Sequence, residues 1–307
     1  MSDNITVSYI IATKNKLPYL KNGLEKLITN KKPDEEILVA DGASSDGTKE
    51  FLSEILSRKQ IDYFISEPDY GLAHALNKLV LKARGSLIKY LSDDDAFDYS
   101  AIQTCKKFML EHPDIDLVNT EGGSLNDPSR SLVEQDPLQI VRALEYVNFY
   151  KKWQANHRPF FYCDLGVMFR KSSLPVVGFW NPLFPGPDIE FSLRTSAGRV
   201  KMAWCTGYSY VNISNPQSVS MVFMKRTKKL TERLSKFYLN KNPEPLIIQK
   251  LKIIANKLHD MTSRTGSLKN DLAAIPFEKQ WPKLVEISEN WMRIKNTQRK
   301  PEFIWNK

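Results

Sequence analysis

Cysteine is scarce in this chain: its 307 residues include only three, Cys105, Cys163 and Cys205. They stand far apart, with no CxxC pair and no Cys/His spacing, which argues against a disulfide framework and a structural zinc site. Four histidines, His74, His112, His157 and His259, also lack metal spacing. No window reaches the roughly 18 apolar residues a membrane span needs. The polar start Met1-Ser2-Asp3-Asn4 lacks the pattern of a secretory signal, so a cytoplasmic protein with reduced thiols is expected. Glycine-rich phosphate cradles are missing as well. There is no GxxxxGK[ST] loop and no GxGxxG fingerprint, which disfavours a P-loop or dinucleotide site.

What is present is ordinary in amount and uneven in placement. Hydrophobic residues make up 42% and charged residues 26%, as in a soluble globular protein. The length suits one large α/β domain with an appendage, or two domains. Of the net charge of +9, residues 221–307 carry 19 Lys+Arg against 8 Asp+Glu, leaving the rest slightly acidic. That asymmetry fits either a partner with an anionic surface or a solvated lysine-rich helical face. Along this stretch Ile247, Leu251, Ile254 and Leu258 keep one apolar face.

The first 120 residues alternate short apolar runs with helical patterns. Strands are expected at residues 7–12, 36–40, 62–66, 87–91 and 117–119. Between them, residues 17–28 are amphipathic, a helix starts at Thr48, and Leu72, Ala75, Leu76, Leu79, Val80 and Ala83 keep helical spacing. A further helix is expected after Ser100, with Ser100 and Gln103 as a capping box. Strands joined by single helices imply parallel pairing, hence a doubly wound sheet. Ligands bind beyond the carboxyl ends of such strands.

The residues at those ends are polar or acidic. Strand 1 leads into Thr13-Lys14-Asn15, strand 2 into Asp41-Gly42-Ala43-Ser44-Ser45-Asp46-Gly47-Thr48, and strand 4 into Ser92-Asp93-Asp94-Asp95. Acidic clusters at one sheet edge repel unless a cation or hydrogen-bond donors lie between them. Mg2+ or Mn2+, which takes carboxylate and phosphate oxygens together, would supply that charge.

At these residues the sequence resembles the family 2 glycosyltransferases, inverting enzymes of the GT-A fold, over about residues 5–220. Val7-Ser8-Tyr9-Ile10-Ile11-Ala12-Thr13-Lys14-Asn15 is similar to the family's VSVIIPTYN, with Ala12 for the proline. Residues 36–48 resemble its EIIVVDGGSTDGT. Ser66-Glu67-Pro68-Asp69-Tyr70-Gly71 with Asn77-Lys78 resembles the SEPDxG…NKG segment of members common in bacterial polysaccharide assembly. Leu91 to Asp95 stands at the DXD-type metal motif, with Ser92 in place of its first Asp. The resemblance implies an α/β GT-A fold with a mostly parallel sheet and a C-terminal helical extension. It also implies a UDP-sugar donor and an Mn2+ or Mg2+ ion. Asp41 would accept from the uracil imide N–H, with Thr13 in the same pocket. Asp94 would be the metal ligand, supported by Asp93 and Asp95. Asp69 and Asn77 would shape the donor pocket, though Asp69 also suits a helix cap.

Inverting transfer needs a base for the acceptor hydroxyl, and a carboxylate serves. The resemblance aligns Asp188 of Gly186-Pro187-Asp188-Ile189-Glu190-Phe191-Ser192-Leu193-Arg194 with that base, while Pro187 replaces the usual Glu. A helix cap is the alternative for Asp188. Cys163-Asp164-Leu165-Gly166 resembles the segment before that motif, where Asp164 contacts a sugar hydroxyl or forms a surface turn. Trp153, Phe160, Phe161 and Tyr162 either stack on an acceptor sugar or pack in the core. Residues 200–211 read as returning strands, and the His the family often carries nearby is missing from Asn212-Ile213-Ser214-Asn215-Pro216.

The expected organisation is a GT-A domain over residues 1–220, with a nucleotide-binding half at 1–120 and an acceptor half at 121–220, followed by a basic helical region at 221–307. The expected partners are a nucleotide-sugar donor and a glycan or lipid-linked acceptor. Residues 221–307 would meet an anionic membrane surface, which would place the protein at the inner face of the cytoplasmic membrane. A nucleic-acid partner is disfavoured because no recognised motif accompanies the basic region. A nucleotidyltransferase is disfavoured because no glycine-rich, lysine-containing loop follows strand 1. A non-catalytic relative of the family is the remaining alternative.

Overall fold

A computed structural model describes residues 5–126, 136–184, 186–216, 224–239 and 276–306. The N-terminal half is a parallel sheet. β1 (Val7–Thr13) lies between β2 (Glu35–Asp41) and β4 (Leu87–Leu91), and β3 (Tyr63–Ser66) flanks β2. The connections are α1 (Leu17–Asn30), α2 (Thr48–Ser57) and α3 (Leu72–Lys82). Helices on both faces explain why β1, β2 and β4 are buried almost throughout and read as continuous apolar runs. In α3 the expected spacing buries Ala75, Leu76, Leu79 and Val80.

Beyond β4 the sheet changes direction. After β5 (Ala96–Phe97) and α4 (Tyr99–Glu111) come β6 (Leu117–Leu125), β7 (Arg142–Leu144), α5 (Val147–Asn156), β8 (Met168–Arg170), α6 (Pro187–Ala197) and β9 (Met202–Ile213). β8 runs antiparallel to both β4 and β6, whereas β6 and β9 are parallel. The order across the sheet is β10-β9-β6-β8-β4-β1-β2-β3, where β10 is Phe303–Ile304.

Three sequence expectations change. The fifth strand extends over nine residues, not three, and the expected returning strands are one twelve-residue strand, β9. α4 starts at Tyr99 with Asp98 as its cap, not Ser100. The Asp98 carboxylate accepts from the amides of Ser100 and Ala101, because a hydrogen bond from Asp98 N to Ser209 O already fixes that residue on β9. Gln103, the other half of the expected box, instead donates to Tyr9 and Glu35.

The described part of the C-terminal region comprises α7 (Met224–Leu239), α8 (Phe277–Gln298) and β10. α8 buries Trp281, Leu284, Val285, Trp291 and Met292 against Tyr19 of α1 and Tyr208, Val211 and Ile213 of β9. β10 adds an antiparallel edge to β9. The apolar face expected at Ile247, Leu251, Ile254 and Leu258 lies outside the described residues. Among the described residues no helix is long and apolar enough to cross a membrane.

Candidate active site

The strand ends bring Thr13, Asp41 and the turn Ser92–Asp95 to one edge of the sheet, since β1 pairs with both β2 and β4. Asp93, Asp94 and Asp95 are all buried, yet their carboxylates do different things. Asp93 accepts from Thr13 Oγ1 at 2.7 Å and from Lys16 Nζ at 3.3 Å. Asp94 Oδ2 accepts from Lys16 Nζ at 2.5 Å and from Asn215 Nδ2 at 2.9 Å, and the Asp94 carbonyl accepts from Trp281 Nε1 at 2.9 Å. Asp95 is taken up by Ser92 Oγ, the Ile213 amide and Asn212 Nδ2. Burial, reinforced by the Asp94 charge, pushes Asp93 up to about 6 and Asp95 up to about 7. Burial alone would lower Lys16, but Asp93 and Asp94 outweigh it and hold the ammonium charged.

This donor set fits a hard divalent ion in part. Asp93 and Asp94 are adjacent buried carboxylates, but among the described residues no group of three or more His, Cys, Asp or Glu converges. One or two carboxylates completed by phosphate oxygens are a usual arrangement for Mg2+.

On the β2 side, the buried Asp41 closes its own turn. It accepts from the Ser44 amide at 3.2 Å, from Ser44 Oγ, and from Ser66 Oγ at 2.6 Å. Asp46 ties the α1 and α2 starts together, accepting from Leu17 N and from Thr48. Asp69 accepts from Gly71 N, and its other oxygen lies so close to Gly42 that a Cβ there would stand 2.8 Å away. Asp69 is thereby held against Gly42, the residue that follows Asp41. Asn77 turns elsewhere. It donates to Trp180 O at 2.8 Å and accepts from Trp180 N at 3.1 Å, which clamps the segment before α6 to α3.

Trp180 carries the link onward. Its Nε1 donates to Asp164 Oδ2 at 2.9 Å. Asp164 is buried in the turn Asp164–Gly166, whose Gly166 leaves no room for a side chain: a Cβ would sit 2.2 Å from Asn119 Oδ1. Beneath the turn, the buried Lys89 of β4 donates to Leu165 O and, at 3.2 Å, to Val167 O. Burial lowers Lys89 to about 8. Burial, then the nearby charge of Asp188, raises Asp164 to about 7. Asp188 stands in the first turn of α6, where the cap is Gly186. It is partly open to solvent, and burial pushes it up to about 6. Of the four aromatics singled out in sequence, Trp153, Phe160 and Tyr162 are core residues, while Phe161 is 40% exposed beside Tyr146.

Lys16, Lys89, Trp180 and Trp281 had no signal in the sequence. Each acts through a contact at least 76 residues away along the chain. Only Lys16 is adjacent to a recognised motif.

The chain is similar to known proteins in three respects. Chondroitin synthase of Pasteurella multocida (strain Pm70) is 27% identical over 127 residues, 41% of this chain and 13% of that protein. Poly-beta-1,6-N-acetyl-D-glucosamine synthase of Staphylococcus epidermidis is 23% identical over 196 residues, 61% of this chain and 45% of that protein. The chain therefore spans less than half the length of either relative. Among solved structures, S. aureus TarS 1-349 in complex with UDP superposes with a TM-score of 0.51 at 16% identity, covering 92% of this chain and 78% of that one. The mannosyltransferase PcManGT from Pyrobaculum calidifontis, in complex with GDP-Man and Mn2+, gives 0.54 at 16% identity, covering 97% and 88%. These likenesses place the fold among GT-A structures, as the parallel sheet and flanking helices lead one to expect. The model of glycosyl transferase family 2 matches residues 8–177, more than half the chain, and with the strand-end residues in place the chain belongs to that family.

Proposed function

We propose that the protein transfers a sugar from a UDP-sugar to a hydroxyl of a glycan or lipid-linked acceptor, with inversion. The observation that carries this reading is the meeting, at one sheet edge, of Thr13, Asp41 and the Asp93–Asp94 pair, together with a second pair of neighbouring carboxylates, Asp164 and Asp188. Asp41 and Asp69 bind the base, with Thr13 beside them; the Ser44 hydroxyl turns aside to free an acceptor for the imide N–H. Asp188 takes the proton from the acceptor hydroxyl as that oxygen attacks the anomeric carbon. The bond to the diphosphate breaks and its electron pair leaves with UDP. Asp94, with Asp93 beside it, would hold an Mn2+ or Mg2+ ion, which when bound would supply positive charge to stabilise the departing diphosphate. Asp95 holds the turn to β9. Asn77 acts through Trp180, and Asp164 receives a hydroxyl of the donor sugar. Phe161 offers an aromatic face to the acceptor.

A thermal-shift series of UDP-, GDP- and dTDP-sugars, with and without Mn2+ or Mg2+, tests the donor, because a ligand that binds only the folded state raises the midpoint. Stabilisation by a UDP-sugar in the presence of metal is expected. If no UDP-sugar raises the midpoint, the donor assignment is wrong. We further propose that basic residues within 221–307 hold the enzyme at the cytoplasmic face of an anionic membrane. Sedimentation with anionic liposomes should then fall as salt rises, and salt-independent sedimentation would refute it.

A further inference from the structure

Lys16 caps no helix with its side chain, although it stands at the N-cap of α1. Its ammonium lies instead on the acidic turn, 2.5 Å from Asp94 and 3.3 Å from Asp93, with only 13% of the side chain exposed. We propose that Lys16 is the resident cation of this turn: it yields Asp94 Oδ2 to a divalent metal and swings to the diphosphate of the donor. The inference rests on the nucleotide-sugar reading above.

Three observations carry it. Two buried carboxylates share one ammonium, so the cluster stays anionic and still attracts positive charge. Removing Lys16 without replacement would leave Asp93 and Asp94 buried and uncompensated, which folded proteins tolerate poorly. Asp94 Oδ2 already receives both Lys16 and Asn215, so a metal on that oxygen must displace a donor, and a like charge at such range displaces the ammonium first. A lysine suits this part because its compact charge rides on a flexible four-carbon stem. In the absence of nucleotide the ammonium stays with Asp93 of the same turn, close to the metal it would repel, so metal binds weakly. When the diphosphate arrives the exchange becomes favourable. Metal and nucleotide thus strengthen one another, and the coupling is reciprocal.

The test needs no turnover. Free Mn2+ is followed by its electron paramagnetic resonance signal, and UDP binding by calorimetry, for the full chain and for Lys16→Met. The variant should bind Mn2+ without nucleotide about tenfold more tightly than the parent, and should bind UDP at saturating Mn2+ about tenfold more weakly, within the usual range of such couplings. Lys16→Arg keeps the charge and serves where the Met variant is too unstable. It should bind Mn2+ without nucleotide as weakly as the parent. Unchanged Mn2+ affinity in Lys16→Met, or a tighter Mn2+ site in Lys16→Arg, overturns the proposal. If the parent chain binds UDP with no dependence on Mn2+, the metal-diphosphate reading itself fails, and the role of Lys16 with it.

Discussion

The Trp180 indole donates its Nε1 hydrogen to Asp164 Oδ2 at 2.9 Å, while its backbone is bonded in both directions to Asn77 of α3. A helix of the N-terminal parallel half thereby sets the orientation of a buried carboxylate beyond β6. Trp180→Phe keeps most of the ring and removes the donor. Above about pH 7, where Asp164 is ionised, a hydrogen bond to it is worth roughly 1.5–3 kcal/mol. Stability in chemical denaturation should fall by about that much, and kcat/KM should drop with it, since Asp164 loses its fixed rotamer. Unchanged kinetics would make the contact a packing feature alone.

Replacing Asp188 by Asn separates chemistry from binding. Loss of a general base costs about 10²- to 10⁴-fold in turnover. If Asp188 is the base proposed above, UDP binding in the presence of metal should barely change. A parallel loss of UDP affinity would move Asp188 to the donor pocket. Full retention of activity would leave the base unassigned.

Activity and stability should respond to pH in opposite directions. Burial raises Asp188 to about 6 and Asp164 to about 7, and the base must be ionised, so kcat/KM should climb as pH rises through 6–7 and then level. For folding the sign reverses. A carboxyl whose pKa is higher folded than unfolded holds its proton more tightly in the folded state. Stability from such groups is full below the unfolded value near ~4 and declines as pH rises to about 7. Glu121, pushed by burial to about 7 while it accepts from the Tyr146 and Val147 amides, adds to the same slope. Denaturation midpoints across pH 5–8 check this, and Asp164→Asn should flatten part of the decline.

Phe161 is the exposed member of an aromatic group that is otherwise buried. Aromatic stacking is worth about 0.5–1.5 kcal/mol. Phe161→Ala should therefore raise the acceptor KM about two- to tenfold, leaving the donor KM and the unfolding midpoint nearly unchanged. An equal rise in donor KM would place the ring on the nucleotide side.

The parallel half of the fold was legible because strands buried on both faces must be apolar along their length, and the residues just after them cannot be. Thr13, Asp41 and Asp93 to Asp95 stood out for that reason. What escaped was long-range. Trp180 reads as an ordinary aromatic, and only the return of its segment against α3 and β8 brings it to Asp164. Ser100 and Gln103 match a capping box, but the backbone tie from Asp98 to β9 chose a different start for α4. The acidic triplet could be seen, whereas its division of labour could not. Whether Asp95 meets a ligand or the Ile213 amide depends on where β9 runs.

Those fastenings also set a timetable. The Asp94 carbonyl is held by Trp281, 187 positions along the chain, and the Asp95 carboxylate by Ile213, 118 positions along. A growing polypeptide that has completed β4 possesses the acidic loop but none of its distant restraints, and contacts of such separation form late. The finished geometry of the acidic loop therefore comes only after α8 has docked, so a nascent chain still short of that helix carries the three carboxylates without the frame that sorts them.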